Sequence, residues 1–146
     1  MMTEEQKLPL LMDFFSPQNE QWTRIHPFFD NLKEGKFTTT KCKGCGALHW
    51  QPRVVCPECL SDDLEWTDLP KTGKLYSFSE MRAGAPAGME RDVPFSIGIV
   101  ELDEVGIKLL ARLIGPYSEL SLDMPMELEP WNLPDGRIFY KFKPKV

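Results

Sequence analysis

The sequence predicts a mainly β protein in three parts: a helical N-terminal segment, a small cysteine-stapled ribbon and a C-terminal barrel. Three observations carry that expectation. All 4 cysteines of the 146-residue chain fall in two C-x2-C pairs, Cys42 with Cys45 and Cys56 with Cys59. Beyond Gly73, short apolar segments alternate with small or polar residues and are separated by turn residues. Only before the cysteines do apolar residues recur at helical spacing.

The N-terminal stretch is apolar at Leu8, Leu10, Leu11, Met12, Phe14 and Phe15. An arm this apolar must dock, either on its own domain or on a partner chain. Ser16 followed by Pro17 reads as a helix start, with serine as N-cap and proline at the first helical position. Trp22, Ile25, Phe29 and Leu32 then define one face. Pro27 interrupts that run, so we expect either a kink or two short helices, the second starting at Pro27 after His26. Gly35 is placed to stop it. Residues 37–41 are β-prone and lead into the first cysteine pair, residues 47–55 are expected to form a hairpin between the pairs, and residues 64–66 to pair back across the ribbon. The turn at 70–73 marks a boundary, giving three units at 1–36, 37–69 and 70–146.

Five strands are expected in the last unit. Residues 75–79 come first, with Tyr76 and Phe78 on one face. Residues 95–99 follow, where Phe95, Ile97 and Ile99 alternate with small residues. After a turn at 103–106, residues 107–113 set Ile107, Leu109, Ala111 and Leu113 on one face and Lys108 and Arg112 on the other. A short helix is expected within 117–122. Residues 124–129 form the fourth strand, with Pro125 near its start, where proline is tolerated. Pro134 and Gly136 build a turn, and residues 137–142 close the set. Five strands with a short helix between the third and fourth predict a small OB-type Greek-key barrel.

Two C-x2-C pairs separated by ten residues make a tetrahedral site with four thiolates, the closed coordination of structural zinc. Gly44 and Gly46 let the first knuckle turn tightly, and Pro57 fixes φ in the second. Two disulfides, or two redox pairs, are the competing readings. The N-terminus lacks the basic-then-apolar pattern of a secretory signal, and a thioredoxin-like site has one pair in a βαβ context. Zinc is therefore the expected ligand of Cys42, Cys45, Cys56 and Cys59. It would supply the folding free energy that a ribbon too short for its own core lacks.

Lys and Arg number 17 against 22 Asp and Glu, for a net charge of −5 and a pI near 5.1. That balance opposes nonspecific nucleic-acid binding. No run approaches the ~20 apolar residues of a membrane span, and a cytoplasmic protein is expected.

These residues together resemble the zinc-ribbon/OB-fold proteins encoded beside thiolases, hydroxymethylglutaryl-CoA synthases and acyl-CoA hydratases. The resemblance runs from about Pro27 to Lys143. It rests on FFDNLKEG at 28–35, CKGCG at 42–46, WQPRVVCPEC at 50–59, GKLYS at 73–77 and MPM at 124–126. One departure is Asp123, where the family often has glycine; aspartate can adopt the same left-handed turn. The resemblance implies an accessory subunit of a thiolase-fold catalytic chain, with two copies of each chain and a role in acyl-CoA binding. No activity is then expected from the chain alone.

The residues agree with a helper role. A thiolase needs a nucleophilic cysteine, and a thiolate held by zinc cannot serve while it remains a ligand. His26 and His49 have no evident catalytic partner, and His49 reads as a solvated or capping residue. Glu101, Asp103 and Glu104 read as a solvated face. The loop at 84–88 resembles a phosphate loop but lacks its Gly-Lys-Ser/Thr ending. Its flanking Arg82 and Arg91 are candidates for the phosphates of coenzyme A, as is Arg53 beside Trp50, whose indole could stack on adenine. The plainer alternative for each arginine is a surface charge with a local carboxylate. Two other functions compete. A nucleic-acid module would stack bases on Trp50, Tyr76, Phe78 and Tyr140 beside Lys41, Lys43 and Arg53. A free-standing acyl-CoA-binding protein would hold its ligand without a partner.

Overall fold

The structure is a computed model that describes Phe15 and residues 17–146. The apolar arm as far as Phe14, and the Ser16 cap, lie outside the described residues. One helix, α1 (His26–Lys33), buries Phe28, Phe29 and Leu32. Pro27 stands in its first turn, where a missing N–H costs nothing. A helix running through Pro27 would lack a donor there, so residues 17–25 make only turns and the chain begins its helix afresh. Of the two outcomes expected around Pro27, the later start is the one found, and among the described residues no helix precedes it. Trp22 accordingly falls off the apolar face and is 38% exposed. At the other end Gly35 adopts φ +82°, and the N–H groups of Gly35 and Lys36 donate to Leu32 (3.0 Å) and Asn31 (2.9 Å). This is the glycine-terminated close expected there.

Strands β1 (Thr38–Cys42) and β2 (Leu64–Asp68) form an antiparallel ribbon, with Thr40 opposite Trp66 and Cys42 opposite Leu64. The return strand lies where the sequence placed it. The hairpin expected within 47–55 does not form: that segment meets β1 through a single bridge, Lys41 with Leu48. Side chains of β1 occupy its backbone instead. The Thr39 hydroxyl donates to the His49 carbonyl, and the Arg53 N–H donates to the Thr40 hydroxyl at 2.9 Å. Pro52 has no N–H to offer a ladder.

Five strands close the barrel in the order β3-β4-β5-β7-β6: β3 (Thr72–Met81), β4 (Phe95–Leu102), β5 (Lys108–Leu113), β6 (Pro125–Asn132) and β7 (Ile138–Pro144). Closure requires a short parallel contact between β5 and β7 and a return of β6 onto β3, with Gly73 opposite Met126. This is the OB arrangement. A 3-10 turn at Tyr117–Glu119 stands between β5 and β6, where the short helix was expected. Leu75, Val100, Leu102, Leu109, Met126 and Phe142 fill the interior. Asp123 takes φ +66°, and its N–H donates to the Leu75 carbonyl at 2.7 Å, the left-handed turn expected of it.

Tyr76 and Phe78 do not share a face in the simple way expected. The β3–β4 register shifts between Leu75 and Ser77, leaving Tyr76 as the extra residue. It stands half-exposed under the Lys108 ammonium, while Phe78 packs against Tyr117. Among the described residues, no helix is long and apolar enough to cross a membrane.

Candidate metal centre and aromatic seam

Strand β1 delivers Cys42 at its last position, and the turn that follows brings Cys45 back beneath it. Cys56 and Cys59 come from the second turn, fixed by the Cys56 N–H donating to the Ser61 carbonyl at 2.8 Å. The four sulfurs lie within 4.8 Å of one another, and none is in a disulfide. Cys42 Sγ is 3.5 Å from Cys59 Sγ, and Cys45 Sγ is 3.6 Å from Cys56 Sγ. Zinc–sulfur bonds of about 2.3 Å require tetrahedron edges of about 3.8 Å, so this cluster fits zinc.

Hydrogen bonding already differentiates the thiols. The Cys45 N–H, 3.4 Å from Cys42 Sγ, does most to draw the Cys42 thiol down to about 7; burial opposes it. At Cys45 the largest influence, the Ala47 N–H, pulls down, yet the Cys56 thiol and burial together push the group up to about 12. Cys59 is likewise raised: the Ser61 N–H lowers it and is outweighed by the Cys42 thiol and burial. Four thiolates cannot coexist here unaided. A divalent cation would ionise the set outright. With four sulfurs bound, no open position would remain for a substrate.

His49 stays out of the cage. It is buried and not solvated, 4% exposed, with Nδ1 2.9 Å from the Thr40 hydroxyl. It fastens the inter-knuckle segment to β1.

That segment carries Trp50 into a seam of rings joining ribbon, helix and barrel. Trp50 lies 5.5 Å from Phe37, 6.0 Å from Phe28 and 6.0 Å from Tyr140, centroid to centroid. Tyr140 is buried, and its hydroxyl donates to the Leu110 carbonyl at 3.0 Å. A cleft of about 190 Å³ opens at the seam between Ile25, Phe29, Trp50, Gln51, Pro52 and Phe139.

The four residues expected to touch coenzyme A are dispersed. Trp50 is half-buried in the seam and lines this cleft. Arg53 is exposed on the inter-knuckle segment. Arg82 is exposed, paired with Glu80, and borders shallower hollows beside Pro94. Arg91 is exposed in the β3–β4 loop. Of the clefts named here, none is lined by two of the four.

Sequence reasoning missed Gln18. Its amide brackets Ile138 as a strand would, donating to the carbonyl (2.7 Å) and accepting from the N–H (2.8 Å). It also missed the outer cluster of Arg112, Trp131 and Lys141, which three strands bring together. Alternation puts Arg112 outward but cannot say which strand lies beside it.

Two family models match the chain. One is described as "ChsH2, rubredoxin-like zinc ribbon domain" and covers residues 29–65. The other, "ChsH2, C-terminal OB-fold domain", covers 66–129. A benzoylsuccinyl-CoA thiolase subunit BbsA of Thauera aromatica is 35% identical over 108 residues, 70% of this chain and 72% of that one. A DUF35 domain-containing scaffold protein of Methanocaldococcus jannaschii is 30% identical over 112 residues, 71% of this chain and 78% of that one. This chain belongs to the DUF35 family of zinc-ribbon and OB-fold proteins. A solved structure, "Ltp2-ChsH2(DUF35) aldolase", superposes with a TM-score of 0.73 at 25% identity, covering 88% of this chain and all of that one. The resemblance read from the ribbon motifs is thus borne out for family and fold.

Proposed function

We propose that this chain is a non-catalytic accessory subunit of a thiolase-fold enzyme that makes or breaks a C–C bond in an acyl-CoA. The observation that carries this reading is the gathering of all 4 cysteines into one cage, which leaves no thiol for a nucleophile. The names of its relatives, a thiolase subunit and a scaffold protein, point the same way. So does the solved neighbour, named for an aldolase in which a DUF35 chain accompanies a second protein. On this reading Cys42, Cys45, Cys56 and Cys59 hold a structural zinc, and the assembly is cytoplasmic with two copies of each chain. Arg53, Arg82 and Arg91 are candidates for CoA phosphates supplied by the assembled enzyme, and Trp50 for its adenine. Because they are dispersed, they require the partner to complete a site.

Co-expression with a thiolase-fold protein from the same genome tests the proposal. The two chains should co-elute, and thiolysis should require the partner's active-site cysteine. Thiolysis by this chain alone, or failure to co-elute, would overturn it. Calorimetry with an acyl-CoA separates a free-standing binder, for which the isolated chain would bind as tightly as the complex does.

A further inference from the structure

A second cleft lies on the outer wall of the barrel, beneath the loop that joins β3 to β4. It encloses about 200 Å³ between Met81, Met89, Leu110, Trp131 and Phe139, with Arg112 as its one charged lining residue. The Arg112 guanidinium packs 4.2 Å over the Phe95 ring and 5.1 Å over Trp131, and it donates to Asp92 on the covering loop at 2.7 Å.

Lys141 adds a second cation. It stands directly opposite Arg112 in the parallel β5–β7 pair, and its ammonium lies 4.0 Å over the same Trp131 ring. Like charges directly opposite each other destabilise a sheet. Burial, and then the Arg112 charge, hold Lys141 below the usual lysine range. The Asp92 carboxylate offsets this only in part. Asp92 is engaged by Arg112, and Glu129, opposite Lys141 on β6, turns to Lys143 at 2.7 Å. Two cations therefore share one indole and one carboxylate, and that indole, with Arg112, lines the apolar cavity.

We propose that this cleft binds a small amphiphilic carboxylic acid, its apolar body between the β3–β4 loop and Trp131 and its carboxylate between Lys141 and Arg112. The apolar wall demands the body. The surplus of one positive charge calls for a monoanion. A dianionic phosphate would overfill it, since Arg112 already has Asp92. The site is separate from the cysteine cage and requires no partner chain.

The full-length zinc-loaded protein, labelled with ¹⁵N, provides the test. The indole N–H resonance of Trp131 is identified by its loss in Trp131→Phe. Octanoate should shift that resonance saturably and leave the Trp22 indole in place. Octanamide, with the same body and no charge, should bind about tenfold more weakly, the scale of one charge-assisted hydrogen bond. Lys141→Met and Lys141→Gln should remove the preference for acid over amide while the remaining spectrum stays native. No saturable shift with octanoate, equal affinity for the amide, or similar shifts at every indole would each overturn the proposal.

Discussion

Gly98 has no room for a methyl group. A Cβ there would stand 2.5 Å from the Ser77 carbonyl oxygen and 2.9 Å from Leu113 Cδ1, between two strands and the core. Gly98→Ala should cost about 2–3 kcal/mol by forced displacement, read as a lower denaturant midpoint at unchanged m. Nothing in the sequence marked this position, because a glycine in a strand looks the same whether its neighbours are near or far. Tyr140 is the opposite case, a ring visible in the pattern whose hydroxyl matters through a contact the pattern hides. Its bond to the Leu110 carbonyl is worth about 1 kcal/mol, so Tyr140→Phe should be less stable by that amount at neutral pH. Burial raises the folded phenol's pKa. The unfolded phenol ionises near 10, so above that pH the native state binds more protons and wild-type stability falls with rising pH. Denaturant midpoints of the two proteins should therefore converge between pH 9 and roughly 11.

Among the elements, the ribbon was the most legible and the segment inside it the least. Cysteine spacing fixes where the chain must return, so β1, β2 and the cage follow from residues 42–59 almost directly. The course of residues 47–55 depends on which groups of Thr39 and Thr40 face them, and that is a tertiary fact. Barrel strands were legible by alternation. Their order followed from the OB pattern of five strands with a short helix after the third, but the register of the parallel β5–β7 closure did not, because it joins segments far apart in sequence through a few residues. Helix α1 shows a third kind of limit. Proline was read correctly as an interruption, while the apolar spacing of Trp22 carried no helix behind it. The cage itself makes a strong prediction. Cys56 is wholly buried, and Cys56→Ser should abolish stoichiometric zinc in a colorimetric release assay. It should also erase slow amide exchange in β1 and β2, because metal binding supplies on the order of 10 kcal/mol to such ribbons.

At the scale of the whole molecule, the three parts share one core. Phe28, Phe29 and Leu32 from the helix, Phe37 and Leu69 from the ribbon, and Leu75, Tyr140 and Phe142 from the barrel belong to a single contiguous cluster. Phe37 sits at its centre, 1% exposed and within ring contact of Phe28, Trp50, Tyr140 and Phe142. Such a molecule should unfold as one unit although its described residues form two sheets. The proposed boundary at residue 70 would then divide chain segments without dividing cooperative stability. Calorimetry of the zinc-loaded chain should show one transition, and chelation should lower that transition as a whole without splitting it. Phe37→Ala should cost about 3–5 kcal/mol and lower the same transition. A fragment of residues 70–146 should fail to fold, since it leaves Tyr140 and Phe142 without the rings that cover them. If that fragment instead melts cooperatively near the temperature of the intact chain, the seam is a contact between independent domains, and the zinc stabilises the ribbon alone.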